Sequence, residues 1–134
     1  MFREASALVF ALLALGCSPS DREQFDSVES AVQRARDTPP SRPADIRAAA
    51  DAIKNLKVEN PKAVAARDAC ATAQYNRATI FELTERIKAE IDDPPVESPQ
   101  LLAEWYRKFD EAQAAHPQLE DVCSQRMSEL WTGR

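Results

Sequence analysis

Glycine is almost missing from this chain. Among 134 residues there are two, Gly16 and Gly133, so the long interval from Cys17 to Thr132 holds none. Phosphate-cradling loops and dinucleotide turns need glycine where the backbone must approach a ligand or take a positive φ. Tight two-residue hairpins favour it as well. The absence argues against a nucleotide-binding α/β fold and against a β-rich fold. Histidine is scarcer still, because His116 stands alone. A catalytic histidine needs a nucleophile or carboxylate partner, and a zinc site needs three or four nitrogen, sulfur or oxygen ligands. His116, directly before Pro117, reads as a structural or solvated residue at a helix end. Met127 could join it on a haem, but no C-x-x-C-H attachment motif is present. Basic charge is also in deficit. There are 17 Lys and Arg against 22 Asp and Glu, a net charge of −5, whereas a nucleic-acid partner wants a basic face. The expectation is a chain with no catalytic residues, no metal site and no cofactor, and with neither nucleic acid nor nucleotide as partner. It is not expected to be an enzyme.

What is abundant instead is alanine, the strongest helix former, set in segments of helical spacing separated by proline. Ser20 followed by Glu23 reads as a capping box. Phe25, Val28, Val32 and Ala35 continue at helical spacing until Pro39, Pro40 and Pro43 forbid continuation. A second helix is expected from about Ala44 to Val58, with Ile46, Ala49, Ala50, Ile53 and Leu56 as its apolar stripe. Asn60-Pro61 gives a cap followed by proline at the first helical position. It can start a third helix or kink a longer one. The third helix, about Pro61 to Asp92, would be roughly 45 Å long. Its seam runs Ala66, Cys70, Ala73, Arg77, Ile80, Thr84, Ile87 and Ile91, small at one end and large at the other. The small end would let a neighbouring helix come close, and the large residues would fill a wider gap. Asp92-Asp93-Pro94-Pro95 makes the next loop, and Ser98-Pro99 restarts the chain. A fourth helix carries Leu102, Trp105, Phe109 and Ala112, with Leu101 and Tyr106 beside them. His116-Pro117 is expected to break it. A fifth helix would then show Leu119, Val122, Cys123, Arg126, Met127, Leu130 and Trp131. The fold class is all-α: a bundle of four or five helices joined by proline-rich loops.

The start of the chain has a different composition. Arg3 is followed by an apolar run from Ala5 to Leu15, too short to span a bilayer core, and then by Gly16-Cys17. This is the layout of an export signal. The ending Leu13-Ala14-Leu15-Gly16-Cys17 resembles the lipobox of bacterial lipoprotein signal peptides. The resemblance covers the signal alone. It implies cleavage before Cys17 and acylation of that cysteine through a thioether-linked diacylglycerol and an acylated amine, fatty chains of the palmitate kind. Two or three such chains hold a protein on a membrane far more firmly than one. Ser18, in place of an aspartate, resembles the signal for delivery to the outer membrane of a Gram-negative envelope, facing the periplasm. Residues 1–16 are then a signal peptide and 17–134 a single helical domain. Its tether from Cys17 to Ser20 reaches roughly 10 Å.

Cys70 and Cys123 are the other cysteines, both on expected apolar faces. In an oxidising compartment they can close one disulfide between helices three and five, or remain two buried thiols. Asp92-Asp93 reads as part of a loop and Glu82 with Glu85 as a solvated helix face, not as acid/base pairs. Trp105, Tyr106, Phe109 and Trp131 read as core. Arg77 interrupts the seam of the longest helix. It can meet an acidic partner, or lay its stem along the core with its head in water. The functional expectation is a membrane-anchored lipoprotein acting as a helical interaction or scaffold module in the cell envelope. Its partners would be the membrane, through the lipid, and another envelope protein. The alternative is an acidic binding or inhibitory module for a soluble envelope protein or a small apolar ligand.

Overall fold

A computed structural model describes residues 19–93 and 99–132 of the chain. Cys17 and the lipobox lie outside the described residues, as do Pro94 and Pro95 of the expected second proline loop. The described residues form four helices and no strand: α1 (Asp21–Asp37), α2 (Pro43–Lys54), α3 (Pro61–Asp92) and α4 (Pro99–Glu129).

The starts follow from the caps. The Ser20 side chain accepts from the Glu23 N–H while the Glu23 carboxylate accepts from the Ser20 N–H, closing the capping box of α1. The Asn60 side chain accepts from the Lys62 and Ala63 N–H groups, with Pro61 in the first turn. Asn60-Pro61 therefore opens a new helix and does not kink an old one. α2 begins on Pro43 and ends at Lys54, four residues before Val58. The expected longer helix is corrected here, because Asn55 and the residues after it turn the chain back towards Asn60, and Val58 is buried from that turn.

The larger correction concerns Pro117. It lies inside α4, which runs unbroken past His116-Pro117, so the described residues form four helices and not five. A proline removes one backbone hydrogen bond and crowds the carbonyl four residues earlier, here that of Gln113. Packing overrides this local preference. α4 is held against α3 on both sides of Pro117, by buried Ala112 and by buried Cys123. The Asn76 side chain donates to the Ala112 carbonyl at 2.9 Å, supplying a donor next to the turn that the proline disturbs.

α3 is the central element. α4 returns antiparallel to it: Lys62 reaches Thr132, Cys70 joins Cys123, Gln74 meets Glu120, and Arg86 lies over Trp105. α1 runs parallel to the first half of α3, with Gln24 at the backbone of Glu59 and Asn60 and with Arg77 at Ala35 and Thr38. α2 runs back along another side, placing Lys54 near Asp68, Asp51 near Tyr75 and Arg47 near Glu82. The core gathers Phe25, Val28, Val32, Ile53, Ala63, Ala66, Cys70, Ala73, Cys123 and Leu130. It lies at the end where α1 and α3 start and α4 finishes, here termed the base. Among the described residues, hydrogen bonds and ion pairs from α1 and α2 to α3 stop at Arg77 and Glu82. Beyond Glu82 the α3–α4 pair continues as a two-helix arm.

Candidate functional site

At the top of the base, a polar cluster surrounds the bond between Cys70 and Cys123. Both cysteines are fully buried and their Cα atoms are 4.6 Å apart. The small residues of the seam allow this approach: Ala63, Ala66 and Ala73 are also fully buried. The disulfide expected between the third helix and the last is therefore present. Arg36 of α1 reaches across to α4, donating to Glu120 at 3.3 Å and to Ser124 at 3.2 Å, with its guanidinium 3.5 Å from the Cys123 sulfur. Gln74, buried on α3, donates to the other Glu120 oxygen at 3.1 Å. Glu120 is thus held on both oxygens, and this geometry ties α1, α3 and α4 together. It leaves no free carboxylate aimed at a reacting atom.

Arg77 resolves differently from either expectation. Its guanidinium donates to the Ala35 carbonyl at 2.9 Å and the Thr38 carbonyl at 2.7 Å. Carbonyls at a helix C-terminus lack intrahelical donors and carry the negative end of the helix dipole, so a cation is stabilising there. Arg77 is a C-terminal cap for α1 supplied from α3. Burial pushes its pKa down, and the charge of Glu120 partly opposes that. Its head is also 5.7 Å from the Phe81 ring centre.

α2 is fixed by a second network. Arg47 donates twice to Glu82, at 2.7 and 2.9 Å, which raises its own pKa. Glu82 is thereby a structural partner and not one half of an acid/base pair with Glu85. The Tyr75 hydroxyl donates to Asp51, whose carboxylate raises the tyrosine pKa. The Asp68 carboxyl lies below its usual range, chiefly because Arg67 donates to it and then because Lys54 does.

The other singled-out residues are dispersed. Trp131 packs edge-on against Phe25 at 5.7 Å in the base, and Met127 is partly buried beside it. Trp105 and Phe109 are half-buried on the arm. Tyr106 is 42% exposed and Ile91 60% exposed, which corrects two expectations. Tyr106 is not core, and Ile91 does not fill a gap. His116 is half-buried, and its Nδ1 is enclosed without a hydrogen-bond partner. Asp92 and Asp93 are exposed at the end of α3. Among the described residues no group of three or more His, Cys, Asp or Glu is placed to hold a metal ion. No described helix is long and apolar enough to cross a membrane.

Two surface clefts stand out near α1. One of ≈550 Å³ lies along its outer face, lined by Asp26, Glu29, Gln33 and Asp37. The other, ≈390 Å³, opens beside Pro19, Leu56 and Arg67. The buried Gln24 at its back spends both side-chain polar atoms on the protein, donating to the Pro19 carbonyl and accepting from Glu59 and Asn60. The lining of the first cleft comes from α1 alone, with no residue of another element opposite it.

The arm differs from both. Leu83 and Ile87 are buried on its α3 side. Leu101, Leu102, Trp105 and Phe109 are only half-buried on its α4 side, and Tyr106 and Ile91 are exposed. Residues 83–93 and 99–111 hold seven Asp and Glu against four Lys and Arg. The arm thus carries three of the chain's five net negative charges. No family model, no curated protein and no solved structure matches the chain.

Proposed function

We propose that the chain is a lipid-anchored helical interaction module of a bacterial envelope, whose α3–α4 arm makes the contacts. It is proposed to work without catalysis, metal or cofactor, held by the membrane at Cys17 and by another envelope protein at the arm. The observation that carries this reading is the separation of the two ends. Pro19 and Ser20 lie at the base, with the start of α3 and the end of α4. An anchor at Cys17 would hold the base near the bilayer and leave the arm to project from it. Ser18 supports outer-membrane placement facing the periplasm. The acidic arm also fits the second reading, capture of a basic soluble envelope protein.

The test is in-cell cross-linking of the acylated chain, with mass spectrometry, beside a Cys17→Ser control. The expected result is one partner captured by the anchored form alone, and a control that leaves the membrane fraction. Equal capture of one soluble protein by both forms would favour the second reading. A control that stays in the membrane would overturn the anchor.

A further inference from the structure

α1 does not pack on α3 alone. It packs on α2 and α3 and reaches α4 by side chains along the α3–α4 seam, with Arg77 of α3 at its C-terminal carbonyls, its Arg36 at Glu120 and Ser124 of α4, and its Phe25 at Trp131. On α3 the positions facing α1 continue from Gln74 and Arg77 to Phe81, Thr84, Lys88 and Ile91, at alternating steps of three and four residues. On α4 they run back from Trp131, Ser124 and Glu120 through Gln113 to Phe109, Tyr106 and Leu102, also at steps of three, four or seven. The α3–α4 seam that α1 borders in the base therefore extends onto the arm, but α1 stops at Thr38. The apolar side chains exposed on the arm, Ile91 and Tyr106, both lie on this continuation. Half-buried Leu102 and Phe109 lie there too.

Resting on the interaction-module reading, we propose that the seam on the arm is a groove that seats one amphipathic helix of another envelope protein. Its walls are Thr84, Lys88 and Ile91 on one side and Leu102, Tyr106 and Phe109 on the other. The helix would carry an apolar stripe at three-four spacing and basic flanks. α1 is the precedent, because its own stripe of Phe25, Val28, Val32 and Ala35 is buried in the base along this seam, with Phe25 against Trp131 of α4. At 1.5 Å per residue the open stretch of α3 is about 15 Å long, room for about three helical turns. The basic flanks follow from Glu85, Asp110 and the arm's acidic excess. A second copy is a poor occupant. Its α1 and α2 are already packed, and its arm would bring the same negative charge. An anionic lipid surface is repelled for the same reason.

The test places a benzoylphenylalanine photo-cross-linker in the full chain in cells, at Tyr106, at Ile91, at exposed Val122 on α4 in the base as a control, and at several further base positions. Sequencing of the linked peptides then identifies the occupant. The expected outcome is that positions 106 and 91 link to one segment of another protein, a basic amphipathic helix, and that position 122 does not. Reversing charge with Glu85→Lys and Asp110→Lys should lower that yield about tenfold. Links to a second copy, links to lipid, links to a segment without that pattern, or no link at 106 and 91 would each overturn the proposal. Links at base positions with none at 106 and 91 would sink the groove and the arm as the contact surface, and leave an interaction module that binds through its base. No link from any position would sink both.

Discussion

Below Arg77 the α3–α4 pair is lined by Ala63, Ala66, Cys70 and Ala73 and carries α1 and α2 on its flanks. Above Glu82 it is lined by Leu83 and Ile87, and among the described residues no hydrogen bond or ion pair ties it to α1 or α2. The same two helices thus build a base and an arm by different means. In the base, small side chains bring backbones close, and the apolar area is supplied by neighbouring helices. In the arm, large side chains must bury themselves between two helices, and a helix pair cannot enclose them on every side. Ile53 in the base is 0% exposed, whereas Ile91 on the arm is 60% exposed. The lesson is that a residue's size alone does not place it in a core. The number of elements that can surround it does.

The largest test of this contrast removes the bond that the base owns and the arm lacks. The Cys70–Cys123 bridge spans 53 residues and is worth about 4 kcal/mol in the chain-entropy model. The pair Cys70→Ala with Cys123→Ala should lower the urea midpoint by a large fraction of the total stability, and the denatured, unreduced parent should show neither cysteine as a free thiol. A midpoint unchanged by the double substitution would mean that helix packing alone holds the base.

Next in size is a matched pair of deletions. Ile53→Ala in the base should cost about 3–4 kcal/mol, since a fully enclosed site leaves a cavity. Ile87→Ala on the arm, at 8% exposure and with fewer elements around it, should cost about 2 kcal/mol because the helix pair can close up or hydrate there. Amide hydrogen exchange should rank the same way, with the residues of α3 after Glu82 exchanging faster than Ala66 to Ala73. Equal costs and equal protection would erase the distinction between base and arm.

Arg77 marks where the two regions meet. Arg77→Met keeps much of the stem but removes the donors to the Ala35 and Thr38 carbonyls. A loss of about 2 kcal/mol is expected from two charge-assisted hydrogen bonds at a helix terminus. Faster exchange at the end of α1, with the arm unaffected, would locate the effect on the base side. A neutral result would mean that water caps α1 as well as the guanidinium does.

How much of this was legible beforehand depended on whether the signal was local. Ser20-Glu23 and Asn60-Pro61 state their helix starts within four residues, and both caps form as read. Cys70 and Cys123 announced themselves by apolar spacing and by rarity. Arg77 stood out as a charge on an apolar seam. Its partners were not foreseeable, because they are backbone carbonyls of α1 at Ala35 and Thr38, with no side-chain signature. The arm was missed for a similar reason. Leu83 and Ile87 look like any core stripe and are buried, but Ile91 continues the same seam and is 60% exposed, and only the stopping points of α1 and α2 show why. One sequence signal did hint at the stopping point, the prolines after Thr38, which limit how far α1 can follow α3. Pro117 failed as a reading because local cost was weighed without the tertiary contacts on either side of it.

Pro117 also gives the smallest and most discriminating effect. It sits on α4 between the Gln74–Glu120 contact and the Asn76–Ala112 contact, level with the end of α1, so it too lies where base becomes arm. Proline inside a helix costs about 3 kcal/mol where the chain has not adapted. Here Asn76 pins the adjacent turn at the Ala112 carbonyl, while the Gln113 carbonyl keeps no N–H from residue 117. Pro117→Ala returns an N–H that can reach the Gln113 carbonyl, but it also frees the unfolded chain, which works against folding by up to about 1 kcal/mol. The net expectation is a gain of about 1 kcal/mol in urea unfolding. Pro117→Ala combined with Asn76→Ala should lose less than Asn76→Ala alone, because the restored helix needs the outside donor less. If Pro117→Ala instead destabilises the chain, the bend at Pro117 is what fits the arm's half of α4 to α3. The boundary between the two regions is then set by both helices, by Arg77 on one and Pro117 on the other.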